Sequence, residues 1–503
     1  MLRNVKTWAE NHKVEFLLLL GTLLLGAFLR LWRIADYMTF LGDEGRDALV
    51  VKRIIVDHKF TLLGPTASVG GFFLGPIYYY FMIPFLWLWR MNPVGPAVMV
   101  ALFGIAAILL LYKAGKDFFD TKTGLIAASL YAVSPLVIAY SRSSWNPNLM
   151  PFFSLLIVYL AWQVVVKERW RFLFWLGLCF GISFQLHYLT AFLAVIIFIY
   201  LLIFGKFIKQ WKSYLLGALG FIIGLSPFLA FELRHDFPNF KTLWRFIFSS
   251  GDTGFVSWKF WPIVSDATLR LFSRLVTFNN LFLAKLVMVL TFIGFLLVLL
   301  RSFQKGGIQL RTIALLFIWF VGGVGLFVFY QKPIYDYYFG FMFALPFLLV
   351  GKTFSVLSQK LIGKLIVGVF LSYLLWINWG GRPFKYEPNR QLAQARQISH
   401  FVLEKTEGKP FNFALITGQN SDHAYRYFLE VWGAKPVTIE NTQIDPERKT
   451  VTGQLLVVCE SVPCQPLGNS LWEVAGFGRA EIAGEWQVSV VKVYKLVHYK
   501  GPS

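Results

Sequence analysis

The sequence predicts an all-α polytopic membrane protein with about 11 to 13 transmembrane helices, followed by a small α/β domain. The 503 residues are 56% hydrophobic and only 15% charged, and the mean hydropathy is +0.58. Apolar runs near the roughly 20 residues that cross a bilayer recur along the chain. From about Tyr386 onward the composition becomes that of a soluble domain. These observations exclude a soluble enzyme and a protein with a single membrane anchor.

Eleven apolar segments predict the spanning helices. The first follows Lys13 and continues to about Trp32 without a small-residue cleavage site, so we expect a retained helix and not a signal peptide. The run 76–90 is short and is interrupted by Pro84, which favours an interfacial or re-entrant element; counted as a span, with one more short span, it raises the number to thirteen. The other ten segments cover approximately residues 97–112, 123–140, 148–166, 172–186, 188–204, 213–231, 282–300, 312–330, 338–351 and 365–380.

Lys and Arg residues concentrate in alternate connections, which predicts the orientation in the cell membrane. By the positive-inside rule the cation-rich segments are cytoplasmic and the C-terminal domain is external or periplasmic. The formal charge of +21 therefore reflects topology, and we expect the lipid bilayer, not nucleic acid, as the partner of this basic chain. The cytoplasmic segments are the N-terminus with Arg3, Lys6 and Lys13, and residues 113–122, 167–171, 206–212, 301–311 and 352–364.

Two domains are expected. Residues 1–384 form the transmembrane domain, with external loops at 33–75 and 232–280, and residues 385–503 form the external α/β domain. Helix-like and strand-like periodicities alternate in the second domain. Its Cys459 and Cys464 form either a disulfide or two unpaired thiols.

The acidic residues Asp43 and Glu44 directly follow the first span, where solubility does not require them. A carboxylate at this position can act as a general base, or can hold a divalent cation against a phosphate. The structural alternative is a cap on an amphipathic helix that runs to about Asp57, with Asp43 and Arg46 paired at i, i+3.

On the predicted topology, the polar clusters of the first domain all fall at the external membrane surface and border one cavity. A transporter would instead place its ionisable groups near the bilayer midplane. The residues concerned are Asp43, Glu44, Arg46, Arg142, Asn146, Asn148, His187, Glu232, Arg234, His235, Lys332, Tyr335 and Asp336.

Three motifs resemble those of the GT-C superfamily of polytopic glycosyltransferases, in the group of the protein O-mannosyltransferases and lipid A aminoarabinose transferases. They are the pair Asp43 and Glu44, the Gly75-Pro76-Ile77-Tyr78 segment, and residues 134–148, and the resemblance covers about residues 10–380. It implies a GT-C fold and transfer of a sugar from a polyprenyl-phosphate carrier to an external acceptor, with inversion at the anomeric carbon. Asp43 is then the expected general base and Glu44 supports it, while the acceptor is an unspecified lipid, glycan or protein.

The chain departs from the family pattern at two places. Leu74 and Gly75 stand where the aminoarabinose transferases have Glu-Lys, so the metal-binding and phosphate-binding roles of those residues do not carry over. Asn146 or Asn148 replaces a commonly acidic residue. A divalent metal ion is therefore left open as a cofactor, with Glu44 and His235 as candidate ligands.

Cleavage of a sugar from a lipid phosphate leaves a dianion that needs fixed positive partners. The candidates are Arg234, His235 and Lys332, with Tyr335 as a neutral donor. The structural alternatives are a snorkelling Lys332 and a local ion pair of Arg234 with Glu232 or Asp236.

The remaining polar residues, Arg46, Arg142, Asn146, Asn148 and His187, are assigned to substrate binding. Two other functions stay open, a polytopic lipid or oligosaccharide transporter and a non-catalytic protein that binds a lipid-linked sugar.

Overall fold

A computed structural model describes residue 7, residues 9–461 and residues 463–501. Arg3 and Lys6, which contribute to the predicted cytoplasmic N-terminus, lie outside the described residues. The chain folds into two compact units. The helical unit comprises Met1–Trp32, Thr61–Phe81 and Ala97–Glu387, and the mixed unit comprises Arg33–Phe60, Met82–Pro96 and Pro388–Ser503.

The helical unit contains an α-helix at every segment predicted to span the membrane. Two helices, Ile77–Leu88 and Val94–Phe118, have residues in both units. The others are Lys13–Leu31, Thr121–Val133, Pro135–Tyr140, Met150–Val165, Phe172–Leu186, Thr190–Phe204, Trp211–Arg234, Pro238–Ser249, Phe260–Ser273, Leu281–Lys305, Gly307–Gly325, Ala344–Leu357 and Leu361–Trp379. Short 3₁₀ segments lie at Asn146–Leu149, Ser257–Lys259, Leu326–Phe329, Asp336–Met342 and Pro383–Lys385.

Within the described part of the chain, seven of these helices are long and apolar enough to cross a membrane. The bent pair Asp336–Met342 and Ala344–Leu357 raises the number to eight if it forms one span. Three shorter apolar helices, Ile77–Leu88, Phe172–Leu186 and Thr190–Phe204, have 10–17 residues each. The predicted class, a helical multi-pass membrane protein, is confirmed, and the number of eleven or thirteen spans stays a prediction.

The segment predicted as one span at 123–140 is two helices, because the chain breaks at Ser134-Pro135. Proline cannot donate its backbone nitrogen and forces the preceding residue into an extended conformation, and Ser134 has ψ 118°. The fully buried Arg30 donates to the Ala132 carbonyl oxygen at 3.0 Å. A buried cation thus compensates for a helix end in apolar surroundings.

Helices Phe172–Leu186 and Trp211–Arg234 cross at glycines. A Cβ added to Gly177 would lie 1.9 Å from the Gly217 carbonyl oxygen, and one added to Gly181 would lie 2.4 Å from the Phe221 carbonyl oxygen. Small residues allow membrane helices to approach at backbone distance. These glycines therefore fix the position of helix Trp211–Arg234, which carries Arg234 at its end.

The mixed unit is built on a four-stranded sheet in the order β1-β2-β4-β3, with β1 Asn412–Ile416, β2 Gln454–Cys459, β3 Ala480–Val488 and β4 Val491–His498. Strands β1 and β2 are parallel and the other pairs are antiparallel. Its helices are Ile34–Tyr37, Gly42–Asp57, Gln391–Lys405, His423–Val431 and Trp472–Ala475. The predicted small α/β domain is confirmed, and Cys459 and Cys464 are paired as a disulfide.

The helix Gly42–Asp57, hereafter the acidic helix, packs on helix His423–Val431 in the mixed unit. Arg53 of the acidic helix forms an ion pair with Glu430 at 2.6 Å. Phe40, just before the acidic helix, packs edge-on against Tyr427 and Phe428. The part Arg33–Phe60 of the first loop therefore belongs to the unit that contains the C-terminal residues, which its position in the chain did not reveal.

Candidate functional site

The acidic helix begins with its two functional candidates in the first turn. Leu41 is the N-cap, and its backbone N–H donates to Glu44 Oε2 at 3.1 Å. This is the half of a capping box in which the side chain of the third helical residue reaches back to the cap. Asp43 and Glu44 also lie where the partial positive charge of a helix N-terminus stabilises carboxylates.

Arg46 joins two carboxylates of the acidic helix. It contacts Asp43 Oδ1 at 2.8 Å and Asp47 Oδ1 at 2.8 Å. The side chain of Asp47 is fully buried, whereas that of Asp43 is 54% exposed. The predicted i, i+3 pair is thus present, and Asp43 is still accessible to another molecule. Arg46, a predicted substrate ligand, is paired with these two acids.

The Glu44 carboxyl has an unusual environment. Burial raises its pKa from 4.5 to about 7, the charges of Asp43 and Asp47 add to the rise, and the Leu41 N–H opposes it. A carboxyl group with this pKa exchanges protons near neutral pH, which is typical of functional carboxyl groups. Burial and the bond to the Leu41 N–H distinguish Glu44 from the exposed Asp43.

The helical unit contains an apolar cavity of about 700 Å³. This volume is in the range of ligand-binding cavities in proteins. Its walls come from helices Phe172–Leu186, Thr190–Phe204, Trp211–Arg234 and Pro238–Ser249 and from the residues around Tyr330. Residues that face it include Phe72, Phe184, Phe228, Phe246, Phe329 and Tyr330. We refer to it as the apolar cavity.

Polar groups hold the segments at one border of the apolar cavity. The buried Glu232 accepts hydrogen bonds from Asn239 Nδ2 at 2.7 Å and from the Phe240 backbone N–H at 3.1 Å. Asn239, which lines the cavity, in turn accepts a bond from the Phe73 N–H at 2.8 Å. The alternative in which Glu232 pairs with Arg234 is wrong, because the Glu232 carboxylate caps helix Pro238–Ser249.

Three of the predicted phosphate ligands lie on segments that wall the apolar cavity. Arg234 and His235 end the helix that contributes Phe228, and both are exposed. In residues 7, 9–461 and 463–501, no ion pair involves Arg234. Lys332 pairs with Asp252 at 2.9 Å and has a side chain 49% exposed.

The segment of Lys332 is held at the cavity border by main-chain pairing. An antiparallel bridge joins Thr253 to Tyr330, and both residues line the apolar cavity. The Gln331 N–H donates to the Asp252 carbonyl oxygen at 2.9 Å. Tyr335 is 55% exposed and its ring stacks on Tyr337.

Most of the residues assigned to substrate binding form hydrogen bonds with the main chain. Arg142 is buried and donates to the carbonyl oxygens of Leu29 and Trp32 at 2.7 and 2.9 Å. Asn146 Nδ2 donates to the Leu186 carbonyl oxygen at 2.6 Å. These bonds satisfy helix C-termini, so both side chains have structural roles in the helical unit.

Asn148 and His187 also bond within the helical unit. Asn148 Nδ2 donates to the Ser143 carbonyl oxygen at 2.9 Å. The buried His187 accepts from the Leu189 N–H at 3.2 Å, and its ring stacks on Tyr188. His187 therefore belongs to the aromatic packing, while Tyr188 lines the apolar cavity.

Asp336 is bound by two arginines of the predicted external loop 232–280 that were not among the candidate site residues. Arg270 donates to its carboxylate, and Arg274 Nε does so at 2.9 Å. Arg270 also donates to the Ile334 carbonyl oxygen at 2.7 Å. This network fixes the segment next to Tyr335.

The described residues offer no set of side-chain donors that matches the predicted metal site. In the described ranges 9–461 and 463–501, together with residue 7, no group of three or more His, Cys, Asp or Glu side chains is placed to hold a metal ion. Glu44 is occupied by the Leu41 N–H, and His235 Nδ1 lies 2.9 Å from the Phe231 carbonyl oxygen. The residues present do not fit a metal site, and no chemical step is assigned to one.

Comparison with known proteins connects this geometry to a fold. The chain resembles ArnT of Cupriavidus metallidurans, solved bound to undecaprenyl phosphate, with a TM-score of 0.61, 12% identity, and coverage of 95% of this chain and 97% of that one. The chain has the GT-C fold. The resemblance predicted from the sequence is confirmed at the level of the fold.

Two further matches agree with the GT-C fold. Archaeal oligosaccharyltransferase AglB of Archaeoglobus fulgidus, solved with an inhibitory peptide and a dolichol-phosphate, has a TM-score of 0.52 and 13% identity over 90% of this chain and 70% of that chain. Residues 75–231 match the dolichyl-phosphate-mannose-protein mannosyltransferase family.

A curated relative matches a shorter stretch. The putative mannosyltransferase YkcB of Bacillus subtilis strain 168 is 29% identical over 131 residues, which are 25% of this chain and 18% of that protein. The matched part thus spans about a fifth of the length of that relative.

Sequence reasoning missed the residues that hold the acidic helix from the C-terminal part of the chain. Asn420 accepts a bond from the Gly42 N–H at 2.9 Å across 378 residues of sequence. One signal was present: Gly42 and Gly45 lie one turn apart in the acidic helix, and small residues at that spacing are typical of a close helix contact.

Proposed function

We propose that the protein is a membrane glycosyltransferase that moves a sugar from a polyprenyl-phosphate donor to an acceptor at the external face of the cell membrane, with inversion at the anomeric carbon. The observation that carries the proposal is the apolar cavity, bordered by segments with exposed cations, in a GT-C fold. ArnT was solved with undecaprenyl phosphate and AglB with a dolichol-phosphate. A hexose or a pentose, and a lipid, glycan or protein acceptor, are all compatible with the proposal.

The donor would place its hydrocarbon chain in the apolar cavity. Burial of apolar surface gives about 25 cal/mol per Å², so a polyprenyl chain is a favourable occupant. Its phosphate would meet Arg234 and Lys332, with His235 and Tyr335 as further donors. Lys332 is already paired with Asp252 and partly desolvated. If a phosphate replaces Asp252 as the partner, the charge of Lys332 is still balanced.

Asp43 is the proposed general base. Its carboxylate takes the proton of the acceptor group as the acceptor atom attacks the anomeric carbon. The bond from that carbon to the phosphate oxygen breaks, its electron pair stays on the phosphate, and the carrier leaves as a polyprenyl phosphate monoester. Arg234 and Lys332 stabilise the charge that develops on this leaving group.

Glu44 supports Asp43 through its protonation state and its backbone contact. With a pKa of about 7, the carboxyl is partly protonated at neutral pH, which reduces the negative charge beside Asp43. Its bond to the Leu41 N–H keeps the first turn of the acidic helix in place.

The test is a transfer assay with purified protein in lipid nanodiscs, a polyprenyl-phosphate sugar labelled in the sugar, and a panel of acceptors. Release of polyprenyl phosphate is measured for the wild type and for Asp43→Asn. General-base catalysis is worth about 10²–10⁴-fold, so Asp43→Asn should lower kcat by that factor with unchanged binding of polyprenyl phosphate. Asp57→Asn, at the other end of the acidic helix, is the matched control and should keep activity.

The outcomes separate the competing functions. Full activity of Asp43→Asn contradicts its role as the base. Binding of the donor without turnover for any acceptor favours a non-catalytic binding protein, and movement of intact donor between the leaflets favours a transporter.

A further inference from the structure

Hydrogen-bond donors converge on Glu460, the residue after strand β2. Thr417 Oγ1 donates to Glu460 Oε2 at 2.8 Å, and Tyr425 donates to Glu460 Oε1 at 2.6 Å. Asn420 Nδ2 lies 3.0 and 3.1 Å from the two carboxylate oxygens. Bonds to an ionised acceptor are about twice as strong as neutral ones. Glu460 therefore fixes the orientation of the Asn420 amide.

The other end of the same amide reaches the acidic helix. Asn420 Oδ1 accepts hydrogen bonds from the Gly42 N–H and the Ser421 N–H, both at 2.9 Å. Gly42 is the first residue of the acidic helix, and the first four N–H groups of any helix lack partners within it. Asn420 thus caps this helix from a position remote in sequence, and Glu460 holds the cap.

The contact around this cap is too close to allow a shifted helix. A Cβ added to Gly45 would lie 2.4 Å from the Ala424 backbone nitrogen, and one added to Gly42 would lie 2.3 Å from Ser421 Oγ. Backbone atoms of helix His423–Val431 cannot move away as a flexible side chain can. The ion pair of Arg53 with Glu430 fixes the rotation of the acidic helix about its axis.

We propose that Asn420 and Glu460 are positioning residues that set the location of the Asp43 carboxylate through the first turn of the acidic helix. This inference rests on the proposed function, in which Asp43 accepts the acceptor proton. A displacement of a reacting group by about 1 Å lowers a rate about 10²-fold. The C-terminal residues therefore take part in sugar transfer without contacting either substrate.

The experiment compares Asn420→Ala, Asn420→Asp and the double variant Asn420→Asp with Glu460→Gln. Asn420→Asp keeps an acceptor for Gly42 but places a second carboxylate against Glu460. In the double variant the amide and the carboxylate exchange places, so a donor again faces an acceptor. Asn441→Ala is the matched control, because Asn441 caps a turn of the same unit.

We expect kcat to fall about 10- to 100-fold in Asn420→Ala and Asn420→Asp and to recover to within about threefold of the wild type in the double variant. The Kd for polyprenyl phosphate should stay within about twofold in every variant, which a global loss of structure would not produce. Asn441→Ala should have wild-type kcat. Wild-type kcat in Asn420→Ala, or the same loss in Asn441→Ala, overturns the inference.

Hydrogen exchange distinguishes failure of this inference from failure of the proposed function. In Asn420→Ala the amides of residues 42–45 should exchange at least about tenfold faster than in the wild type, whether or not the protein transfers sugar. If no variant and no wild-type sample transfers sugar, the proposed function fails, and unchanged exchange in Asn420→Ala overturns the positioning role by itself.

Discussion

Replacement of Glu44 by Gln tests the electrostatics of the acidic helix. The glutamine amide oxygen can still accept the Leu41 N–H, so the cap remains while the charge is removed. In the wild type, burial raises the pKa of the Glu44 carboxyl from 4.5 to about 7. The folded state therefore binds the proton more tightly than the unfolded state does, and stability falls as pH rises through this window.

The expected change in stability follows from the shift of the Glu44 pKa. A rise from 4.5 to about 7 corresponds to about 3 kcal/mol, since each unit is 1.36 kcal/mol. Below about pH 4.5 the carboxyl is protonated in both states and contributes no pH-dependent difference. Above about pH 7 it is ionised in both states, and the wild type carries the full cost of a buried charge. Glu44→Gln should gain about 3 kcal/mol relative to the wild type between these limits.

The assay is equilibrium hydrogen exchange of the acidic helix in both proteins at pH 4.5 and pH 8, corrected for intrinsic exchange rates. The quantity of interest is the difference between variant and wild type at each pH, because other titrating groups cancel. Glu440→Gln, an exposed carboxylate of the same unit, is the control. An equal difference at both pH values would show that Glu44 is not destabilised by burial and would refute the reasoning.

Three further predictions concern other parts of the molecule. Lys332→Ala should weaken binding of polyprenyl phosphate by about ten- to a hundredfold, the worth of a bond to a charged group, as measured by calorimetry; an unchanged Kd would exclude Lys332 as a phosphate ligand. Joint Cys459→Ser and Cys464→Ser substitution should lower the free energy of unfolding by about 2 kcal/mol, because the loop is short; denaturant titration should give the same loss for reduced wild type. Gly181→Val should cost about 1–3 kcal/mol by overpacking and lower Tm, whereas Gly21→Val, with no atom within 4 Å of the added Cβ, should not.

Much of the fold could be predicted from the sequence, because apolar runs and their boundaries are local properties of the sequence. Each predicted span contains a helix, and the C-terminal residues form the expected small α/β domain, with strands at Asn412–Ile416, Gln454–Cys459, Ala480–Val488 and Val491–His498. The break at Ser134-Pro135 was missed, because hydropathy averages over a window and hides a single extended residue. The inclusion of residues 33–60 in the mixed unit was also missed, since it depends on contacts across more than 300 residues of sequence.

Only part of the candidate site could be predicted from the sequence. Asp43 and Glu44 stood out because carboxylates are scarce in so apolar a chain. Asn420 and Glu460 did not, since polar residues in a domain of soluble composition are unremarkable and their partner Gly42 has no side chain. The apolar cavity was not predicted either, because its walls come from helices distributed between residues 72 and 330.

Selection of site candidates by the scarcity of charged residues in the sequence produced more candidates than the geometry supports. In apolar surroundings an unpaired carbonyl oxygen at a helix end is costly, so a buried cation or amide nearby binds the main chain first. Arg142 and Asn146 do this, at the ends of helices Lys13–Leu31 and Phe172–Leu186. Arg234 and Lys332 are exposed, on segments whose residues Leu229 and Tyr330 line the apolar cavity. The polar residues available to a lipid phosphate are therefore those that the backbone does not already use, and this criterion favours Arg234 and Lys332 over Arg142.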